Sequence, residues 1–274
     1  MPELPEVENV VRTLAPRLTG WRVLRVESSA SRVFRGQQAA VEGQLPGQCI
    51  RAVTRYGKNI LVELDHAQLR IHLGMTGKLL FDPAHATHPR ATLWLEAPQS
   101  GEPAVLVFDD IRQFGRFELL PGRGGEALAL GPEPLDWPLP SFLEALSLRA
   151  GAVKNVLLNQ RFVRGMGNIY TDEALFLARI HPLTPACLVP RQKAVALHEA
   201  MRALLREAIA QGGSSISDYV DAEGRKGSFQ ERHQVYGREG EPCSRCGAAI
   251  RRIVVAQRGT HYCPRCQRLP RQRG

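Results

Sequence analysis

Met1-Pro2-Glu3 opens the chain, and removal of methionine before a small residue leaves a proline secondary amine as the N-terminus. An α-amino group titrates near pH ~7.7 to 8.0, so part of it is unprotonated and nucleophilic at neutral pH. A lysine needs burial or a neighbouring cation to match it. Attack of a proline nitrogen on an aldehyde-like carbon gives a charged iminium, and Glu3 sets a carboxyl within reach for acid/base work. The same stretch also reads as a helix start, with Pro5 near the first helical position and acids in the first turn.

The other end of the chain carries a second constellation. Cys243-x2-Cys246 and Cys263-x2-Cys266, separated by sixteen residues, have the spacing of a four-thiolate zinc site. Two disulfides are the alternative. The lack of a secretory signal and the isolated Cys49 and Cys187 point instead to a reducing, cytoplasmic compartment. A closed tetrathiolate site has no open coordination position, so one structural zinc ion is expected, holding the intervening hairpin. Residues 224–274 hold twelve Lys/Arg against three Asp/Glu, which accounts for the whole net charge of +9. A basic zinc ribbon is the electrostatic footprint of a phosphate-backbone reader, with a solvated basic face as the bland alternative. Gln257-Arg258-Gly259-Thr260 falls between the cysteine pairs, where a hairpin tip would present Arg258 beside a turn-forming glycine.

The elements that must position these groups follow from periodicity. With 274 residues, 43% of them hydrophobic, and no apolar run near the roughly 18 needed to span a bilayer, a membrane-spanning helix is excluded and about two domains are expected. Val7, Val10, Val11 and Leu14 predict a helix over residues 5–14. Alternating segments at residues 21–26, 59–64, 69–73, 93–95, 104–108 and 115–120, with turn residues between them, predict a β-sandwich or barrel with the helix on its edge. Glycine and proline runs at 121–125 and 131–140 read as a domain crossing. Beyond it, Ser141-x-x-Glu144 is a capping-box signature, and residues 192–211 carry an apolar stripe that Gly212-Gly213 ends. Gly165-Met166-Gly167-Asn168 precedes a helix whose free N–H groups could face a phosphate. The expected fold class is α+β multidomain: an N-terminal β-sandwich or barrel with a flanking helix at 1–125, a linker at 126–140, a helical domain at 141–222 and a zinc finger with a basic tail at 223–274.

Taken together, residues 1–8, Tyr56-Gly57-Lys58, His72 to Gly77, Asp110 to Gly115, Leu130 to Leu135, Gly165 to Tyr170, Gln234 to Arg238 and the four cysteines with Gln257 to Thr260 resemble the bacterial formamidopyrimidine-DNA glycosylases over nearly the full length. The resemblance implies a helix-two-turn-helix in the middle domain and a bifunctional glycosylase and AP lyase. Such an enzyme removes oxidised purines from damaged double-stranded DNA, as a monomer. It implies Pro2 as the nucleophile at the sugar C1′, Glu3 as acid/base, and Lys58 as a proton donor in the first strand-cleaving elimination. Arg258 is implied in the second elimination, where a permanently charged guanidinium is better suited to holding a departing phosphate than to giving up a proton.

The resemblance also implies that Met75, Arg112 and Phe114 fill the gap left by the extruded nucleotide, as base flipping requires. Arg90, Arg149, Lys154 and Asn168 match phosphate-contacting positions, and residues 214–229 match a loop over the lesion. Gln113 stands where many relatives carry a second basic residue, and Arg90 near a position often filled by histidine. The rival readings are an endonuclease VIII-like enzyme for oxidised pyrimidines, against which Leu4, Arg112 and Phe114 argue, and a non-catalytic zinc-ribbon DNA-binding protein.

Overall fold

Leu4 to Leu18 form the first helix, α1, in the computed structural model of the chain, which describes residues 1–29, 31–81, 83–120, 122, 125–216 and 219–269. Val7, Val10, Leu14 and Leu18 are fully or almost fully buried, each removal of such a side chain from water contributing roughly 1.5–3 kcal/mol. Leu18 extends the helix a turn past the expected end, with Pro16 inside the last turn.

Two four-stranded antiparallel sheets follow. One runs in the order β1 (Arg22–Ser28), β6 (Pro89–Glu96), β7 (Pro103–Asp109), β5 (Lys78–Leu80). The other runs β2 (Ile50–Tyr56), β3 (Asn59–Leu64), β4 (Gln68–His72), β8 (Arg116–Leu120). Leu93 and Phe108 from the first sheet and Ile60, Ile71 and Phe117 from the second share one core with α1, so the expected sandwich is present. Two strands were not legible in the sequence. β2 carries a register shift between Ile50 and Ala52 that breaks its period of two, and β5 is only three residues long. A short helix, α2 (Gln38–Gln44), is also added.

The chain divides into two compact units, Met1–Ala129 with Gln211–Ser228, and Leu130–Ala210 with Phe229–Gly274. Three packing relationships follow from this division. Residues 211–228 pack with the first unit, with Tyr219 and Ala222 buried in its core. The segment 131–140 is no free linker, because Trp137 packs edge-on to Phe142 and Phe162 at 5.1 and 5.2 Å. The zinc module shares a core with the helices, Phe176 clustering with Val235, Cys243, Ile250 and Cys263.

The second unit holds α3 (Leu139–Ser147), α4 (Val153–Leu158), α5 (Asn168–Leu177), α6 (Arg191–Ala210) and the hairpin β9 (Arg251–Val255) and β10 (Arg258–Tyr262). Ser141 lies inside α3, which starts after Pro138, so the Ser141–Glu144 signature is not a capping box. A reciprocal cap of that kind does occur at α1, between Glu3 and Glu6. Pro121, Arg123 and Gly124 of the expected break, Ser217 and Asp218 of the expected lesion loop, and Pro270 to Gly274 of the basic tail lie outside the described residues. Among the described residues no helix is long and apolar enough to cross a membrane.

Candidate active site

Met1 is exposed, and the two residues that follow it are enclosed. Pro2 is buried and Glu3 is 3% exposed, and the Glu3 N–H donates to Glu6 Oε2 at 2.8 Å. Glu6, itself buried, accepts the Ser214 N–H on its other oxygen at 2.7 Å, and the Tyr219 hydroxyl donates to its carbonyl at 3.2 Å. One carboxylate thus ties residues 3 and 214 together. No sequence signal announces this tie, because a first-turn glutamate is ordinary helix chemistry. Burial, with Glu6 and Asp221 nearby, pushes the Tyr219 hydroxyl pKa well above its ordinary value.

Lys58 lies in the two-residue loop between β2 and β3, where Tyr56 pairs with Asn59 and Gly57 takes the positive φ of 62° that such a loop favours at its first position. It is 7% exposed rather than a solvated turn lysine. The end of β2 is fastened to α1 by Arg55, whose Nε donates to Glu8 Oε2 at 2.8 Å, while Arg12 donates to Oε1 at 2.9 Å. Burial opposes ionisation of Glu8, but the two guanidiniums outweigh it and hold its carboxyl below the usual range. His72, opposite Asn59 in the β3–β4 ladder, is held neutral with its pKa lowered to about 3, first by burial and then by Arg70, Lys58 and Arg116. Its Nδ1 accepts the Gly74 N–H at 3.0 Å. His72 and Lys58 therefore belong to an electropositive region that only strand register assembles.

Met75, on the β4–β5 turn, and Arg112 and Phe114, on the β7–β8 loop, are exposed, with Met75 at 42% and Phe114 at 51%. The Arg112 guanidinium lies 4.7 Å from the Phe114 ring centre. Beside them Ile111 is 54% exposed, an apolar residue the sequence did not single out. The two turns are held against each other by Asp110, whose Oδ1 accepts the Thr76 hydroxyl at 2.6 Å and whose Oδ2 accepts the Gly115 N–H at 2.8 Å. Gly74 approaches Gly115 so closely that a Cβ would stand 2.6 Å from its nitrogen. Arg90, half-buried, donates Nε to the Asp110 carbonyl at 2.9 Å.

In the second unit Asn168 is the first residue of α5 and donates Nδ2 to the Gly259 carbonyl at 2.8 Å; its Oδ1 is buried without a partner among the described residues. Arg258 is exposed at the start of β10. Contrary to expectation, Gly259 does not form the turn: Ala256 and Gln257 do, both with positive φ, and Gly259 is a strand residue beside the Arg252 guanidinium.

Lys154, at a position expected to contact phosphate, lies inside the second unit. It has no exposed surface and donates to Asp172 Oδ1 at 2.5 Å and Thr260 Oγ1 at 2.7 Å. Its charge is matched by Asp172. Arg149 is exposed, 5.8 Å from the Phe162 ring centre. Glu173, missed by the sequence reading, accepts the N–H groups of Gln234, Val235 and Tyr236 at 2.8–2.9 Å; burial raises its pKa in spite of them.

The four cysteine sulfurs lie within 4.8 Å of one another, Cys243–Cys266 at 4.0 Å and Cys246–Cys263 at 3.5 Å. Tetrahedral Zn–S bonds of about 2.3 Å place sulfurs roughly 3.8 Å apart, so Cys243, Cys246, Cys263 and Cys266 fit one structural zinc ion.

Three family models match the chain: the formamidopyrimidine-DNA glycosylase N-terminal domain over residues 1–117, the formamidopyrimidine-DNA glycosylase H2TH domain over 130–220, and the zinc finger found in FPG and IleRS over 240–269. The formamidopyrimidine-DNA glycosylase of Solibacter usitatus is 46% identical over 98% of this chain and 100% of its own length. The crystal structure of the MutM (Fpg) protein of Thermus thermophilus is 41% identical with a TM-score of 0.87, covering 98% of this chain and all of that one. Wild-type Lactococcus lactis Fpg, in complex with DNA containing N7-benzyl-Fapy-dG, is 36% identical with a TM-score of 0.87, covering 97% and 100%. Sequence, fold and cysteine cluster agree, and the chain belongs to the formamidopyrimidine-DNA glycosylase family, zinc-finger enzymes of DNA base excision repair with glycosylase and AP lyase activity.

Proposed function

We propose that this enzyme removes oxidised purines, 8-oxoguanine and formamidopyrimidines, from duplex DNA through the secondary amine of Pro2, acting as a monomer in the cytoplasm. The observation that carries the reading is the enclosure of Pro2 and Glu3 at the head of α1, with the Glu3 N–H fixed on Glu6. Such a site excludes water from an iminium that water would otherwise hydrolyse. The Fapy-dG ligand of the L. lactis relative supports the substrate class.

The amine exists once Met1 has been removed. Its lone pair then bonds to the sugar C1′ as the C1′–N9 bond breaks and the base leaves with a proton. Opening of the C1′–O4′ bond, with protonation of O4′ by Glu3, converts the adduct to the iminium. The iminium acidifies C2′: the Glu3 carboxylate left by ring opening takes a C2′ proton as the C3′–O bond breaks and the 3′-phosphate departs, with Lys58 as proton donor. A further proton loss from C4′ expels the 5′-phosphate, which Arg258 holds. Hydrolysis of the remaining iminium frees Pro2. Met75, Arg112 and Phe114 occupy the space vacated by the flipped nucleotide, recovering part of the few kcal/mol lost in unstacking it. Asn168, Arg90 and Arg149 contact the phosphate backbone.

Borohydride trapping tests the reading. Reduction during turnover on 8-oxoguanine DNA is expected to yield a covalent adduct mapping to Pro2 by peptide mass spectrometry, and Pro2→Gly should lose most of it. An adduct on Lys58, or active enzyme that retains Met1, overturns the proposal. Duplexes carrying 8-oxoguanine, formamidopyrimidine or thymine glycol opposite each base test the substrate class, and preference for thymine glycol refutes it.

A further inference from the structure

The loop from Asp110 to Gly115 presents Arg112 and Phe114 to solvent but turns the residue between them inward. Gln113 is half-buried, and its Oε1 accepts the Ser31 hydroxyl at 3.2 Å and the Arg32 N–H at 3.3 Å. These are the first groups of a one-turn 3-10 helix, Arg32–Phe34, that Ser31 itself caps. The backbone at Gln113 has φ +54°, a left-handed conformation unfavourable for a residue with a Cβ. The conformation is held by what surrounds it: Asp110 anchors the loop at Thr76 and Gly115, the Arg112 N–H donates to Thr76 Oγ1 at 3.3 Å, and the Gln113 amide fastens the apex.

We propose that Gln113 is a positioning residue that sets how the enzyme reads the base opposite the lesion. The inference rests on Arg112 and Phe114 being the gap-filling residues. Gln113 acts through an acceptor: its carbonyl pins the loop to Ser31 and Arg32, and the pinned loop holds the Arg112 guanidinium over Phe114 before DNA arrives. A lysine or arginine here carries no acceptor and would set a positive charge against two donors, so it would free the loop apex. A preset guanidinium fork discriminates among acceptor patterns, because a base that does not match leaves its donors unpaired. A fork on a loosened loop can shift to suit either base, so losing the pin should lower discrimination more than overall affinity.

The test is single-turnover release of 8-oxoguanine from duplexes with cytosine or adenine opposite, using the full-length enzyme. Gln113→Gly permits the left-handed backbone but removes the acceptor. Gln113→Asn favours that backbone but shortens the reach. Both are expected to reduce the ratio of the two rates by about threefold or more. Gln113→Glu restores an acceptor for both donors and should return the ratio towards that of the parent, even where its charge weakens DNA binding. A 2-aminopurine beside the lesion should report slower insertion for Gln113→Gly and Gln113→Asn than for Gln113→Glu. Arg112→Ala, run in the same series, separates the two layers. An unchanged ratio in Gln113→Gly, or equal weakening on both duplexes, overturns the role of Gln113. If Arg112→Ala moves the ratio in that case, the gap-filling reading survives and only the pin is lost; if it does not, both fall.

Discussion

Lys154 Nζ and Asp172 Oδ1 meet 2.5 Å apart with neither side chain exposed, and the remaining Asp172 oxygen accepts the His261 N–H at 2.8 Å. Since Lys154 also donates to Thr260 Oγ1, α4 and α5 together hold the strand that begins with Arg258. Removing one partner of a buried pair leaves an uncompensated charge, which costs about 3–5 kcal/mol. Lys154→Met should lower the unfolding free energy by that order in urea titrations and speed amide exchange at residues 259–261. A loss below about 1 kcal/mol, the range of exposed pairs, would refute the role assigned to this ion pair.

Glu6 serves two N–H donors, Glu3 and Ser214, with its two oxygens. A glutamine can present only one oxygen, and its NH2 group must then face a donor. Glu6→Gln should therefore destabilise the first unit by about 1–3 kcal/mol and slow base release. Hydrogen exchange should locate the loosening at residue 3 or residue 214, and unaltered protection at both counts against this account.

Zinc removal should act on DNA binding without unfolding the sandwich, because the core of the first unit contains no cysteine ligand. Metal binding in such small modules is coupled to their folding. Cys263→Ser, or chelation, is expected to abolish measurable affinity for abasic duplex DNA while amides in β3 and β4 keep their protection. Unaffected affinity would contradict a structural zinc.

Stability should fall in mild acid. Burial, then Arg70, Lys58 and Arg116, lower the His72 pKa to about 3, and burial lowers that of His233 to about 4, from 6.5. Below pH ~6.5 the unfolded chain takes up protons that the folded chain refuses. The stabilisation is thus complete above that pH and is lost progressively as the pH falls towards the folded values, by up to about 1.4 kcal/mol per pH unit for each histidine. His72→Asn should flatten the slope of denaturation midpoint between pH 7.5 and 5; parallel slopes for parent and variant would reject the assignment.

Much of the fold was legible because its signals are local. The apolar spacing of α1, the alternation in β3 and β7, the stripe of α6 and the paired cysteines each act over a few residues, and each appears where the pattern placed it. The signals that misled were also local: Ser141–Glu144 has the letters of a cap, but Pro138 starts the helix earlier. Gly259 has the letters of a turn, but the two preceding residues take it.

Membership of the family, the zinc ligands and the candidacy of Pro2 and Glu3 as reactive groups were determined by sequence alone, since residue type and spacing specify that chemistry. Tertiary structure decided which charges face solvent and which are spent inside. Lys154 and Arg258 are both basic residues of the same unit, yet one is enclosed by Asp172 and the other is exposed. Gln113 faces inward between two neighbours that face out. The reason is physical: burial and pairing are set by residues 18 to 106 positions away in the chain, such as Asp172 and Thr260 for Lys154, and no local pattern carries that information.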